Sequence, residues 1–331
     1  MLADDIIAAV GSASDQVYCG AFAPMALAIK RAQRFDLSPE VLRSALTISK
    51  SAIGPQLRAL PLCRLPFARC WFEWPGAFSG QPNLRGNVGG IPKRMGALVS
   101  TDASLQRGTI AYAWMHPDPD LGGVNICPLL VTFDWRETPE PVADIMGAAR
   151  WHTTATDQDW RKLATQFDRV RLSARADVEE ETRRFGIAIN PMMSKFLTFA
   201  EATSREALHK ILAAASLDVE GEPPMLRAAI MLLNSRNLAV QTARPVAAKL
   251  NRARAARGRE PLLDYTHIGI RLTRALAARA GMAGDPRHAS RLHLVRGHFK
   301  IRKSGVYWWS PFARGTTDGS APLNQHRHVG L

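Results

Sequence analysis

Through residues 2–57, apolar and polar positions alternate on a helical period. Ala23 to Arg34 is alanine-rich with apolar spacing, and Leu37-Ser38-Pro39-Glu40 reads as a helix start, with Ser38 as N-cap and Pro39 at the first helical position. Val41, Leu42, Ala45, Leu46 and Ile48 continue that period until Pro55 breaks it. From about residue 65 the period shortens to two. Phe67 to Trp74 predicts a strand with Cys70, Phe72 and Trp74 on one face and Arg69, Trp71 and Glu73 on the other. Arg94 to Ser100, Thr109 to Met115 and Val124 to Trp135 are three further strands, joined by connectors rich in Gly, Pro and Asp such as His116-Pro117-Asp118-Pro119-Asp120. Strands so linked predict an antiparallel meander, in which Pro128 requires an edge or a bulge.

Residues 140–257 return to a mostly helical pattern. Asp157 to Val170 and Arg175 to Arg184 read as charged surface helices, and Ser204 caps a helix running to Ala215. Glu222 to Asn237 is apolar over most of its circumference and predicts a buried helix. His209 and Met192, Met193, Met225 and Met231 are read as packing residues. Pro245 to Arg257 is a further helix, with Pro245 at its first position and Gly258 just past its end. Lys249, Arg252, Arg254 and Arg257 spread over a wide face of it, beside a narrow apolar stripe of Val246, Leu250 and Ala253.

The stretch from His288 to Gly315 organises the C-terminal part. Arg296, His298, Lys300 and Arg302 alternate with Val295, Gly297, Phe299 and Ile301, giving a strand with one basic and one apolar face. Lys303-Ser304-Gly305 reads as a turn and Val306 to Trp309 as a returning aromatic strand. Leu262 to Leu272 is expected to pair with His293 to Arg302 in a small C-terminal sheet of three strands. Residues 316–331 read as a loose tail, whose His326 and His328 have no expected structural role. The fold class is therefore α+β: N-terminal helices with an antiparallel meander (1–140), a mostly helical middle (141–243), a basic helix and hairpin module forming a small basic C-terminal β-sheet (244–315), and the tail.

Charge sharpens this division. The chain of 331 residues carries a net charge of +14. From Arg244 onward there are 17 Lys and Arg against four acids, a net of +13, so the first 243 residues are left with +1. A basic block on a near-neutral body is the electrostatic footprint of nucleic-acid binding. Trp308, Trp309, Tyr307 and Phe299 add planes on which unpaired bases can stack, while Arg296, His298, Lys300, Arg302, Lys303 and Arg314, with the four cations of the basic helix, hold phosphates. Cys19, Cys63, Cys70 and Cys127 form no CxxC pair and read as buried thiols of a reducing compartment. The acidic start Met1-Leu2-Ala3-Asp4-Asp5 is unlike a signal peptide, and no apolar run is long enough to span a bilayer, so the expected location is the cytoplasm without a membrane partner.

Other chemistry finds little footing. Gly86-Asn87-Val88-Gly89-Gly90 lacks the ending of a Walker loop and reads as a flexible loop. HExxH, a Cys/His quartet and a GxSxG elbow are missing, so neither a metal nor another cofactor is expected. His293 and His298, five apart, would face opposite sides of one strand. Metal-independent RNA cleavage stays open as an alternative, with His298 as acid or base between Arg296 and Lys300, and Tyr307 or His267 as a second proton carrier. Phosphate binding needs only the cations. A structural phage component is a third reading.

His293-Leu294-Val295-Arg296-Gly297-His298-Phe299, then Tyr307-Trp308-Trp309 and Phe312-Ala313-Arg314-Gly315, resemble a family of phage and mobile-element proteins that includes a type V-A anti-CRISPR inhibitor. Leu250-Asn251-Arg252-Ala253-Arg254, Gly258, Pro261-Leu262 and Tyr265 are similar too, and so, more weakly, are Leu65-Pro66 and Cys70-Trp71-Phe72-Glu73. The resemblance implies a cytoplasmic regulatory protein of the bacterial host that recognises the nascent N-terminus of a CRISPR effector nuclease, with RNA or ribosome-associated messenger RNA as partner, and triggers loss of that message.

Overall fold

The computed structural model describes residues 1–49, 56, 58–76, 92–116, 123–140, 142, 184–208, 211–212, 215, 222–235 and 239–270, and at the C-terminal end 293–295, 298–302, 305–309 and 312–314. Outside these residues lie the expected loop at Gly86–Gly90, the helix expected at 157–170, all but Arg184 of the helix expected at 175–184, His209, Arg296, Gly297, Lys303 and the tail.

An eight-stranded mixed sheet, mostly antiparallel, forms the centre, and helices cover both faces. Its strands are β1 (Gln33–Leu37), β2 (Arg69–Pro75), β3 (Arg94–Thr101), β4 (Arg107–Met115), β5 (Val124–Asp134), β6 (Phe185–Ile189), β7 (Ala239–Arg244) and β8 (Tyr265–Ile270). Their order is β6-β5-β4-β3-β2-β1-β8-β7, with β1 parallel to both β2 and β8. The expected meander is present as β2 to β5. Pro128 falls where the β4–β5 register shifts, Ala111 facing Leu130 but Ala113 facing Ile126. The bulge thus absorbs the residue that lacks an N–H.

Three expectations are corrected. Residues 33–37 form a strand inside the stretch read as helical. Only five residues long, β1 is held by neighbours on both sides, so pairing outweighs local pattern. The described part of 140–257 holds β6 and β7 as well as helices. Finally, β8 does not pair with His293–Arg302. It lies between β1 and β7 in the large sheet, where Ile268 enters the core.

On one face of the sheet pack α4 (Pro39–Ser49), α5 (Ser194–Thr203) through Leu197 and Ala200, and α6 (Glu222–Asn234). Helix α4 starts as its sequence predicts: the Ser38 hydroxyl accepts from Val41 N–H at 3.4 Å, and Val41, Leu42, Ala45 and Ile48 are buried. Helix α6 buries most of its circumference, from Met225 to Leu233. Cys70, Phe72 and Trp74 of β2 meet this layer. The opposite face carries α1 (Leu2–Ala8) and α3 (Phe22–Lys30), with α2 (Ala13–Val17) between them in sequence. Trp71 points there, so both sides of β2 are buried. Its indole lies across β3 at Gly96, where a Cβ would sit 2.2 Å from the ring.

Glu73, also on this second face, is fully buried. Five donors surround its carboxylate: the N–H groups of Leu2 (2.6 Å) and Ala3 (3.2 Å), the indole of Trp71 (3.2 Å), the hydroxyl of Tyr265 (2.9 Å) and the guanidinium of Arg94. Charge-assisted bonds to so many donors offset the cost of burying the charge. One side chain thereby ties α1, β2, β3 and β8.

Two outcomes follow for unfolding in urea. Glu73→Gln leaves donors facing an amide and removes one of Arg94's counter-charges, so it should cost about 3 kcal/mol, the lower end for a broken buried pair. Gly96→Ala should cost about 2 kcal/mol by overpacking against Trp71. Unchanged midpoints would show that neither contact holds the sheet. Thiol labelling gives a separate check. Cys63, Cys70 and Cys127 are buried while Cys19 is partly exposed, and burial pushes the Cys70 thiol up to about 12. At pH 8 native protein should therefore expose one reactive thiol, and unfolded protein four.

Candidate nucleic-acid interface

The basic helix predicted from Pro245 runs from Ala248 to Ala255 and is called α7 here. It starts three residues later than expected because Arg244 still pairs with Tyr265 in the sheet, and the Val246 N–H is taken by the Asp264 carboxylate at 2.7 Å. None of its residues is buried. Polar contacts hold it instead. The Asn251 side chain donates to Leu262 C=O (3.0 Å) and accepts from Leu262 N–H (2.8 Å). Arg254 Nε donates to Glu260 C=O at 2.9 Å. Gly258 adopts φ +65°, a left-handed conformation suited to glycine, and Arg259 N–H returns to Arg254 C=O at 2.9 Å. Beyond the turn, Leu263 N–H bonds Asp4, and Tyr265 reaches Glu73. Burial and the charges of Glu73 and Asp4 push the Tyr265 phenol up, so it remains a donor.

This bracket presents Lys249, Arg252 and Arg257 to solvent, with Arg254 half-buried against its carbonyl. Asn251, Arg254, Gly258, Leu262 and Tyr265, noted above for their resemblance, are thus the residues that make the α7–β8 unit.

The remaining sequence-selected residues lie in β9 (His293–Val295), β10 (His298–Arg302), β11 (Gly305–Trp309) and β12 (Phe312–Arg314). The expected hairpin is β10–β11, with His298 opposite Trp309, Lys300 opposite Tyr307 and Arg302 opposite Gly305. Phe299 and Ile301 stand opposite Trp308 and Val306. The register therefore pairs basic positions mainly with aromatic ones and apolar positions with apolar or aromatic ones. The single strand expected over 293–302 is two: β9 pairs with β12, which sets Arg314 opposite His293.

A charged cluster that the sequence reading missed spans β3, β1, β8 and β7. Asp36 receives Arg94 at 3.0 Å, His267 Nδ1 at 2.9 Å and, more loosely, Arg244 at 3.5 Å. His267, expected as a possible second proton carrier beside His298, stands opposite Asp36 in the β1–β8 register. With Asp36 adjacent to Glu73 across β1–β2, the carboxylates stitch neighbouring strands. The acid between Phe35 and Leu37 in QRFDL is the available signal; its partners come from other strands.

A second link joins α7 to the body. Lys30, at the end of α3, pairs with Glu260 at 3.1 Å, and Arg34 Nε donates to Asp264 C=O at 2.9 Å. The basic helix therefore sits beside the C-terminal end of α3, where further cations gather. Among the described residues no cluster of three or more His, Cys, Asp or Glu side chains is arranged to hold a metal, and no helix is long and apolar enough to cross a membrane. Comparison of the chain with family models, curated proteins and solved structures finds no match in any of the three.

Asn251→Ala should release α7 without unfolding the sheet. Hydrogen exchange should accelerate at α7 and Leu262 while amides of β2–β5 stay protected, since α7 contributes no buried side chain. Equal acceleration throughout would mean that the bracket belongs to the global fold.

Proposed function

We propose that this chain is an anti-CRISPR-like phage regulatory protein that binds RNA through its basic C-terminal part and lowers expression of a translating message. The observation that carries the RNA contact is α7: a helix without a buried residue, locked by side-chain brackets, presenting Lys249 and Arg252 outward, with Arg257 exposed in the turn that follows. A helix that adds nothing to the core is kept for what its surface touches. Its sign of charge favours a polyanion, and the net charge of +13 from Arg244 onward extends that preference to the strands beyond. In the finer organisation proposed, α7 and the β9–β12 strands act together as a basic module, with Trp308 and Trp309 near the backbone-binding cations. The target message and the nascent chain of a CRISPR effector follow from the resemblance of Leu250–Tyr265 and His293–Gly315 to the anti-CRISPR family. The helical and β-sheet body then offers the protein-binding surface.

Binding of a labelled single-stranded RNA, followed across salt concentrations, tests this reading. Reversing Lys249, Arg252 and Arg257 to Glu should weaken binding at least tenfold at low salt. It should also flatten the slope of log K against log salt by about 2, at ~0.7 per phosphate contact on a single strand. Reversal of Arg296, Lys300 and Arg302 should act in the same direction. Binding and slope unchanged in both variants would refute the proposal.

A further inference from the structure

A depression of about 530 Å³ opens at the C-terminal end of α3, lined by Lys30, Arg31, Arg34, Phe67, Arg69 and neighbouring polar residues. Its size lies within the ~300–1,000 Å³ of sites that hold small ligands or single residues of polymers. Its electrostatics come from four cations treated differently by the fold. Arg34 is fixed: besides Asp264 C=O, its guanidinium donates to the carbonyls of Ala32 (2.8 Å), Ile29 (3.2 Å) and Lys30 (3.3 Å), closing α3. These partners are all neutral, so its charge is not cancelled. Lys30 holds an exposed pair with Glu260, of the kind that contributes little and exchanges readily. Among the described residues, Arg31 and Arg69 are exposed and have no acidic partner.

Phe67 stands in the same depression with 52% of its surface exposed. Its segment is pinned. Ala68 C=O accepts from both the N–H (2.8 Å) and the hydroxyl (3.2 Å) of Thr101, and Phe67 C=O accepts from the Cys70 thiol at 3.4 Å. A single exposed apolar residue is ordinary. A phenyl ring on a pinned backbone, in a depression also lined by Arg31 and Arg69, matches what a single-stranded nucleic acid needs: a stacking plane beside phosphate-binding charges.

We infer that this depression is a single-stranded RNA subsite, in which Phe67 stacks on a base while Arg31 and Arg69 hold the flanking phosphates. Lys30 pairs with Glu260, whose carbonyl accepts from Arg254 of α7, so one strand can run from the helix into the depression. The inference rests on the RNA-binding reading above and gives it a polarity: the path leaves the C-terminal module and crosses onto the near-neutral body.

The test uses the full chain with an oligouridylate, and with an abasic oligonucleotide of equal length that keeps the phosphates and lacks the bases. Phe67→Ala should weaken oligouridylate binding about tenfold, leave abasic binding unchanged and leave the salt slope unchanged. Phe67→Trp should restore affinity and show quenched fluorescence on binding. Arg31→Glu with Arg69→Glu should weaken both ligands and flatten the slope by about 1.4, for two contacts at ~0.7 each. All three positions are exposed, so the variants should fold as the parent does. If Phe67→Ala binds both ligands like the parent while the α7 reversal abolishes binding, the subsite is refuted and the RNA-binding reading stands. If the parent binds neither ligand, both are refuted.

Discussion

The buried carboxylate of Glu73 is the contact on which the architecture turns. A charge at zero exposure is tolerable only when its lone pairs are filled, and here they are filled from four directions. Each donor fixes an element: Leu2 and Ala3 set the start of α1, Trp71 sets the packing over Gly96, Arg94 secures β3, and Tyr265 anchors β8. Asp36 repeats the device one strand over, drawing in Arg94, His267 and Arg244. The parallel pairs β2–β1–β8 would otherwise depend on a five-residue strand. The ion network compensates for its short ladder, and its geometry specifies which strands become neighbours.

From that anchor the basic unit follows as a consequence of connectivity. Tyr265 fixes the beginning of β8, and Leu263 is held by Asp4 of α1. The turn before them, from Glu260 to Leu262, is then a fixed platform on which Asn251 and Arg254 fasten α7. Side-chain polarity transmits the order of the core to a helix that never enters it. The same platform sets Lys30 and Arg34 beside α7, so cations distant in sequence become neighbours in space.

Much of this was legible in the chain. The meander showed in its period of two, the cap at Ser38 in its residue types, and α6 in its apolar circumference. Gly258 marks the end of the basic helix, and its φ of +65° is the reason. Three things are hidden for a physical reason. β1 has only two buried apolar positions, Phe35 and Leu37, too few to distinguish a strand from the end of a helix. For β8, local charge suggests a separate C-terminal sheet, whereas its partners are selected by Ile268 entering the core and by His267 meeting Asp36. Similarly, alternation sets Glu73 with Arg69 and Trp71 on one face of its strand and leaves open what that face meets. Alternation cannot reveal that a polar position faces a second core.

The state of α7 then bears on why it is basic at all. Lys249 and Arg252 lie one turn apart, and like charges at that spacing work against a helix by a few tenths of a kcal/mol. The helix dipole returns part of this, since Arg252 and Arg254 fall in the last turn. Burial returns none, because no α7 side chain enters a core. A segment so arranged is held by its bracket alone and opposed by its own charge. A polyanion lying along it removes the repulsion and leaves the bracket unopposed, so ligand binding and helix order are coupled by thermodynamic linkage. On this argument the local order of α7 should track the occupancy of its surface, while the Glu73-centred sheet is indifferent to it.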